Sequence, residues 1–226
     1  MSRAVTVETF ASLAARIQSL PTSTAPRLVA IDGPSGAGKS TFARRLGRAL
    51  GDPPIVAMDD FVSWDNLAGW WPRFEEQVLG PLLEGRGAHY QQRDWDNDPH
   101  GERLGTWRAF PASAMVVLEG ITSSRQPIAE HLIQAIWIDA PRDLRLSRGV
   151  DRDGESMRPR WLNWMEREDT FFAQDGTRQR ANLIVDGAPS TPHDPDHEYI
   201  ADRIQPRQNM GPADADVLWL GEPTSL

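Results

Sequence analysis

The sequence predicts an α/β fold, a five-stranded parallel sheet flanked by helices, and three observations predict it. Short apolar runs of strand length alternate with stretches of helical periodicity. A Gly-rich segment stands between the first of the core runs and an amphipathic helix. Acidic residues follow several of the runs, at the strand ends where an open α/β sheet forms its ligand crevice. A length of 226 residues suffices for one such domain with appendages.

Taken in order, residues 1–26 read as an N-terminal amphipathic helix: over residues 5–20, Phe10, Leu13, Ile17 and Leu20 recur at three- and four-residue steps before the breaker Pro21. The core occupies residues 27–187. Arg27 to Asp32, bounded by Pro26 and Gly33, reads as its first buried strand. From Lys39 to Leu50, Phe42, Leu46 and Leu50 share one face and Arg44, Arg45 and Arg48 lie largely on the other, which is a helix. Further strands at Pro54 to Met58, Met115 to Leu118, Ala135 to Ile138 and Asn182 to Val185, with helices near 72–84, 127–134, 141–151 and 159–173, complete the alternation. Residues 60–110 carry Trp64, Trp70, Trp71, Trp95 and Trp107 among Gly, Pro and charged residues and read as a Trp-rich insertion that binds an acceptor. Residues 188–226 are rich in Pro, Asp and His with little periodicity and read as an irregular tail.

Composition narrows the function. With 39% hydrophobic and 25% charged residues and no apolar run near the roughly 20 residues of a membrane helix, a cytoplasmic protein with no membrane partner is expected. A net charge of -8 argues against nucleic acid as a partner, and the absence of Cys removes disulfides and thiolate metal sites. His193 and His197 are four apart but lie in the Pro-rich tail, so no zinc site is expected. Lys39 is the single lysine; every other residue in the Lys+Arg total of 24 is Arg. Coding bias accounts for the arginines, not for a lone lysine within a Gly-rich loop.

That loop, Gly33-Pro-Ser35-Gly36-Ala37-Gly38-Lys39-Ser40 followed by Thr41, matches the phosphate-loop (Walker A) pattern between the required strand and helix. Its amides and the helix N-terminus would cradle phosphates, Lys39 would reach the terminal ones, and the Ser40 hydroxyl would ligate magnesium, making ATP and Mg²⁺ the expected cofactors. Asp59 and Asp60 end the second strand, where a carboxylate can accept the proton of an attacking hydroxyl; the bland alternative is a capping pair. Glu119, before Gly120, ends another strand and would serve the metal as a Walker B acid does. Arg145, Arg148 and Arg152 recur at helical steps, with Arg158 and Arg160 beyond a Gly-containing segment, and residues 142–160 read as an arginine-bearing lid or, blandly, a solvated salt-bridged face. Tyr90, Arg93, Asp94 and Trp95 mix aromatic surface with polar groups and, with Asp60, would hold an acceptor or serve packing.

In this order the motifs resemble the uridine kinase-like branch of P-loop kinases, which includes phosphoribulokinase and pantothenate kinase relatives, over residues 27–187. The resemblance implies an ATP-dependent phosphotransferase with an alcohol acceptor. Asp59 of Asp59-Asp60-Phe61 would be its base, Arg93-Asp94-Trp95 would meet the acceptor, Glu119-Gly120 would serve the metal, and Arg148 and Arg152-Asp153 would supply lid cations. Thr177 to Val185 resembles the closing strand with its preceding segment. Trp95 stands where a smaller aromatic is expected and the lid spacing is altered, so the resemblance implies hydroxyl phosphorylation more firmly than uridine itself. The expected partner is a small acceptor, a nucleoside or another polyol, with homo-oligomerisation left open. Two alternatives stay open: a nucleoside-monophosphate or small-acid kinase, for which Arg73, Arg86, Arg93 and Arg103 could supply cations, and a nucleotide-dependent switch.

Overall fold

Side chains of the run Arg27–Asp32 point alternately into two cores: Leu28 and Ala30 into one, Val29 and Ile31 into the other. A strand apolar on both faces needs helices on both, and the fold supplies them. A computed structural model describes residues 5–21 and 26–204. β1 (Thr6–Thr9), α1 (Phe10–Ser19), β2 (Arg27–Asp32), α2 (Lys39–Leu50) and β3 (Ile55–Ala57) come first. A 3-10 turn at Met58–Asp60 leads to α3 (Trp71–Phe74), a π-helical Glu75–Leu79 and α4 (Gly80–Leu83). A hairpin of β4 (Ala88–Arg93) and β5 (Leu104–Phe110) follows, then β6 (Met115–Glu119), a 3-10 stretch Gln126–His131 and β7 (Leu132–Asp139). The remaining elements are α5 (Arg142–Asp153), α6 (Arg158–Asp175), α7 (Thr177–Arg180), β8 (Leu183–Asp186) and β9 (Glu198–Ile204).

The main sheet has seven strands in the order β1-β9-β8-β7-β2-β6-β3, not five. The five expected strands are its parallel part, β8-β7-β2-β6-β3. The correction is at one edge, where β9 pairs antiparallel with β8, and where Thr6–Thr9, expected within the N-terminal helix, is instead β1 paired antiparallel with β9, the helix starting only at Phe10. The tail expected to be irregular from residue 188 therefore contributes a strand at 198–204; residues 205–226 lie outside the described residues. The stretch expected as a helix over 127–134 is a 3-10 turn that gives way to β7 at Leu132, because the apolar run starting there belongs to the buried sheet.

One face of the sheet is covered by α1 and α2 through Phe10, Leu13, Ile17, Phe42 and Leu46. The other is covered by the α3–α4 region and α6 through Phe74, Val78, Leu82, Trp161, Trp164 and Phe172. Parallel pairing of β2, β3 and β6 brings the Gly-rich loop, Asp59 and Glu119 to one edge of the sheet.

Candidate active site

Local backbone chemistry shapes the loop. Gly33 has φ +138°, and a Cβ there would stand 2.2 Å from the Ile138 carbonyl oxygen; Gly36 has φ +79° and a Cβ would come 2.6 Å from the Arg145 carbonyl oxygen. Any other residue would push the loop off β7 and α5. The loop opens on a cleft of about 770 Å³. Ser35, Gly36, Gly38, Lys39, Ser40 and Thr41 line it. Gly33 and Ala37 do not, and their amides stay within the loop's frame, donating to Asp32 Oδ1 (2.7 Å) and to the Pro34 carbonyl (3.3 Å).

Lys39 is buried at 8% exposure and its ammonium donates to the Pro34 carbonyl at 3.0 Å, curled over its own loop. Ser40 Oγ donates to Glu119 Oε1 at 3.0 Å, so the two oxygens expected to serve a metal are in contact although 79 residues apart in sequence. Burial pushes the Glu119 carboxyl up to about 7, with the Lys39 charge pulling the other way.

Asp59 lines the same cleft, and its backbone carbonyl accepts the Trp95 indole N–H at 2.7 Å. Trp95 thus pins the turn that carries the candidate base. Arg148 and Arg152 also line the cleft. Arg148 clamps two segments, donating from Nη1 to the Gly36 carbonyl (3.0 Å) and from Nη2 to the Gly187 carbonyl (3.2 Å). Arg152 binds Asp153 Oδ1 at 2.7 Å and lies over the Trp161 ring.

Of the five residues expected to hold an acceptor, Trp95 lines the cleft and Asp60, Tyr90, Arg93 and Asp94 do not. Most of their polar groups are engaged within the insertion, Arg93 Nη1 being buried without a hydrogen-bond partner. The Tyr90 hydroxyl donates to Asp60 Oδ2 (3.2 Å). Arg93 is buried, stacks 3.5 Å from the Trp95 ring centroid, and donates to the carbonyls of Asp98 and Gly101. Asp94 accepts from the Asn97 amide and pairs with Arg103. They build the turn and hairpin that present Asp59 and Trp95.

The wall of the cleft comes instead from Trp64, Trp161 and Trp164, with Val62, Ile121, Met157, Pro99 and His100. Trp64 meets both other rings edge to face at 5.5 Å. Sequence reasoning missed Trp161 and Trp164, which in α6 read as an ordinary apolar face. It also missed two buried carboxylates that touch the loop: Asp32 beneath its first turn, and Glu168 behind Ser35. The signal for Asp32 was its place at the end of β2; Glu168 had none, since its partner is 133 residues away.

No protein-family model matches the chain. It is 32% identical over 131 residues to cytidylate kinase of Natronomonas pharaonis, covering 58% of this chain and 60% of that protein. It is 27% identical over 186 residues to uridine kinase of Clostridium perfringens, covering 71% of this chain and 86% of that protein. A solved structure of a possible uridine kinase from Bacillus stearothermophilus superposes with a TM-score of 0.58 at 18% identity, covering 77% of this chain and 96% of the other, which is a likeness of fold. Among the described residues no helix is long and apolar enough to cross a membrane.

Proposed function

We propose that the chain, which is similar in sequence to uridine kinases, is a uridine kinase-like P-loop kinase that transfers the γ-phosphate of ATP to a hydroxyl of an uncharged small molecule, a nucleoside in the first instance. The observation that carries this reading is how charge is distributed. Asp59 shares the cleft with Lys39, Ser40 and Glu119, while the arginines of the insertion are already engaged. Arg73 donates to the carbonyls of Asp60, Phe61 and Gln91; Arg86 pairs with Glu84, Arg93 with two carbonyls, and Arg103 with Asp94. A phosphorylated acceptor needs cations to spare at its own end, and an apolar wall of tryptophans suits a neutral ring better.

Ser40 Oγ and Glu119 offer the hard oxygen donors that Mg²⁺ takes, and among the described residues no three His, Cys, Asp or Glu side chains gather to enclose a metal. The ion's other ligands would be water and phosphate oxygens. When bound, Mg²⁺ offsets phosphate charge. The chain's own residues do the rest: the loop amides and Lys39 orient the triphosphate, and the Arg148 clamp fixes the loop's position. As the acceptor oxygen bonds to the γ-phosphorus, its proton passes to the Asp59 carboxylate, and the bond from that phosphorus to the departing ADP oxygen breaks.

The test is ATP consumption with Mg²⁺ against nucleosides, nucleoside monophosphates, sugars and pantothenate-like acids. A nucleoside should stimulate turnover, and Lys39→Ala and Asp59→Asn should each lower it by about 100-fold or more. Stimulation by a monophosphate instead would move the chain to the chemistry of its cytidylate kinase relative. Binding of ATP with turnover that ignores every acceptor would support a nucleotide switch.

A further inference from the structure

The helix beyond the lid reaches back to the phosphate loop and grips it from behind. Glu168, in the third turn of α6, has no exposed surface. Its Oε1 accepts the Ser35 backbone N–H at 3.0 Å and the Trp164 indole N–H at 2.5 Å. Its Oε2 stands 3.2 Å from the same Ser35 nitrogen and 3.6 Å from Arg145 Nη1. The Trp164 indole nitrogen also lies 3.0 Å from Ser35 Oγ, so both the amide and the hydroxyl of one loop residue are held by one helix.

Enclosing a carboxylate away from water is costly, and a helix needing only to pack here would do so with an apolar residue. The cost is offset by the positive charges of Arg145 and Lys39 and by N–H donors that would otherwise be buried without partners. The Ser35 amide is turned toward α6, so the amides of Gly36, Gly38, Lys39 and Ser40 are the ones that would curl around phosphate.

We propose that Glu168 is a positioning residue that sets the nucleotide affinity of the phosphate loop by its reach to the Ser35 amide, not by its charge. It touches no reacting atom; it acts through the loop, and it makes α6 and the loop move as one body. The proposal rests on the nucleotide half of the kinase reading and is independent of which acceptor is used.

Two variants separate reach from charge. Glu168→Gln keeps the length and one carbonyl oxygen at the Oε1 position, which accepts from both Ser35 and Trp164, while removing the charge. Glu168→Asp keeps the charge and withdraws it by one methylene. Binding of Mg²⁺ with a non-hydrolysable ATP analogue, measured by calorimetry without acceptor, should weaken about tenfold or more in Glu168→Asp and stay within about threefold in Glu168→Gln. Amide hydrogen exchange across residues 35–38 should speed up in the Asp variant alone. Wild-type affinity in Glu168→Asp, or a loss in Glu168→Gln as large as in Glu168→Asp, overturns the proposal. If the Asp variant fails to fold, Trp164→Phe decides: removing the indole N–H while keeping a ring should weaken the analogue about threefold or more and speed the same exchange, and unchanged exchange overturns the brace. Failure of the unaltered chain to bind the analogue would instead count against the nucleotide reading.

Discussion

Asp32 shows how much a single buried carboxylate organises. Its Oδ1 accepts the amides of Gly33 (2.7 Å) and Thr122 (2.9 Å); its Oδ2 accepts the amide (2.8 Å) and hydroxyl (3.0 Å) of Ser124. One side chain thus joins the first turn of the phosphate loop to the turn that follows Glu119. Complete burial raises its carboxyl from 3.8 to about 6, against the pull of those donors. Because the folded value exceeds the unfolded one, the folded chain holds an extra proton between about pH 4 and 6. The contribution of this group to folding is therefore greatest below about pH 4 and is lost as pH rises through about 6. Asp32→Asn cannot titrate, and its amide nitrogen must face at least one pair of N–H or O–H donors. It should cost about 2–4 kcal/mol at pH 7, and the gap to wild type should widen when denaturant unfolding is repeated at pH 4.5. A gap that narrows there would reverse the sign assigned to Asp32. From sequence, Asp32 was visible as the end of a strand, but its partners stand 90 and 92 residues onward, beyond the reach of any local pattern.

At the scale of elements, the packing of α5 on α6 turns on Gly149. By helix propensity alone, Gly149→Ala in the interior of α5 should stabilise the chain by about 1 kcal/mol. Its Cβ, however, would come 2.5 Å from Cε2 of Trp161, and that indole is fixed by a hydrogen bond to Asp153 Oδ2 at 3.0 Å. Overpacking of this kind costs about 1–3 kcal/mol and outweighs propensity, so thermal unfolding should show a lower Tm for the variant. A raised Tm would mean that the helices part at no cost. The elements that sequence could locate are those with one dominant local signal: the five parallel strands are unbroken apolar runs, and α2 has a clean apolar face. β1 and β9 escaped because both are antiparallel additions to one side of the parallel sheet. Thr6–Thr9 is mostly exposed and polar, and β9 follows a stretch of Pro and Asp, so its strand character depends on pairing with β8.

For the molecule as a whole, the meeting of the Gly-rich loop, Asp59 and Glu119 was legible because parallel topology gathers strand ends at one edge: the loop after β2, Asp59 after β3 and Glu119 at the end of β6 follow from the motif and the sheet together. The wall of the cleft was not. Tyr90, Arg93 and Asp94 looked available because their partners are distributed across the insertion, and the tryptophans that wall the cleft arrive from α6, where helical periodicity marks them as core.

The solitary Lys39 gives this chain a built-in chemical reporter. Beyond any α-amino group, the ε-amine of Lys39 is the only primary amine the sequence contains, and it sits in the loop with its nitrogen on the Pro34 carbonyl. A small acylating reagent should therefore add slowly at one side chain, and a nucleotide triphosphate should shield it. Peptide mapping would separate acylation at Lys39 from acylation of an α-amino group, and the fraction acylated at Lys39 should equal the fraction of molecules that have lost nucleotide binding. Acylation mapped to Lys39 with binding intact would detach Lys39 from the phosphates altogether.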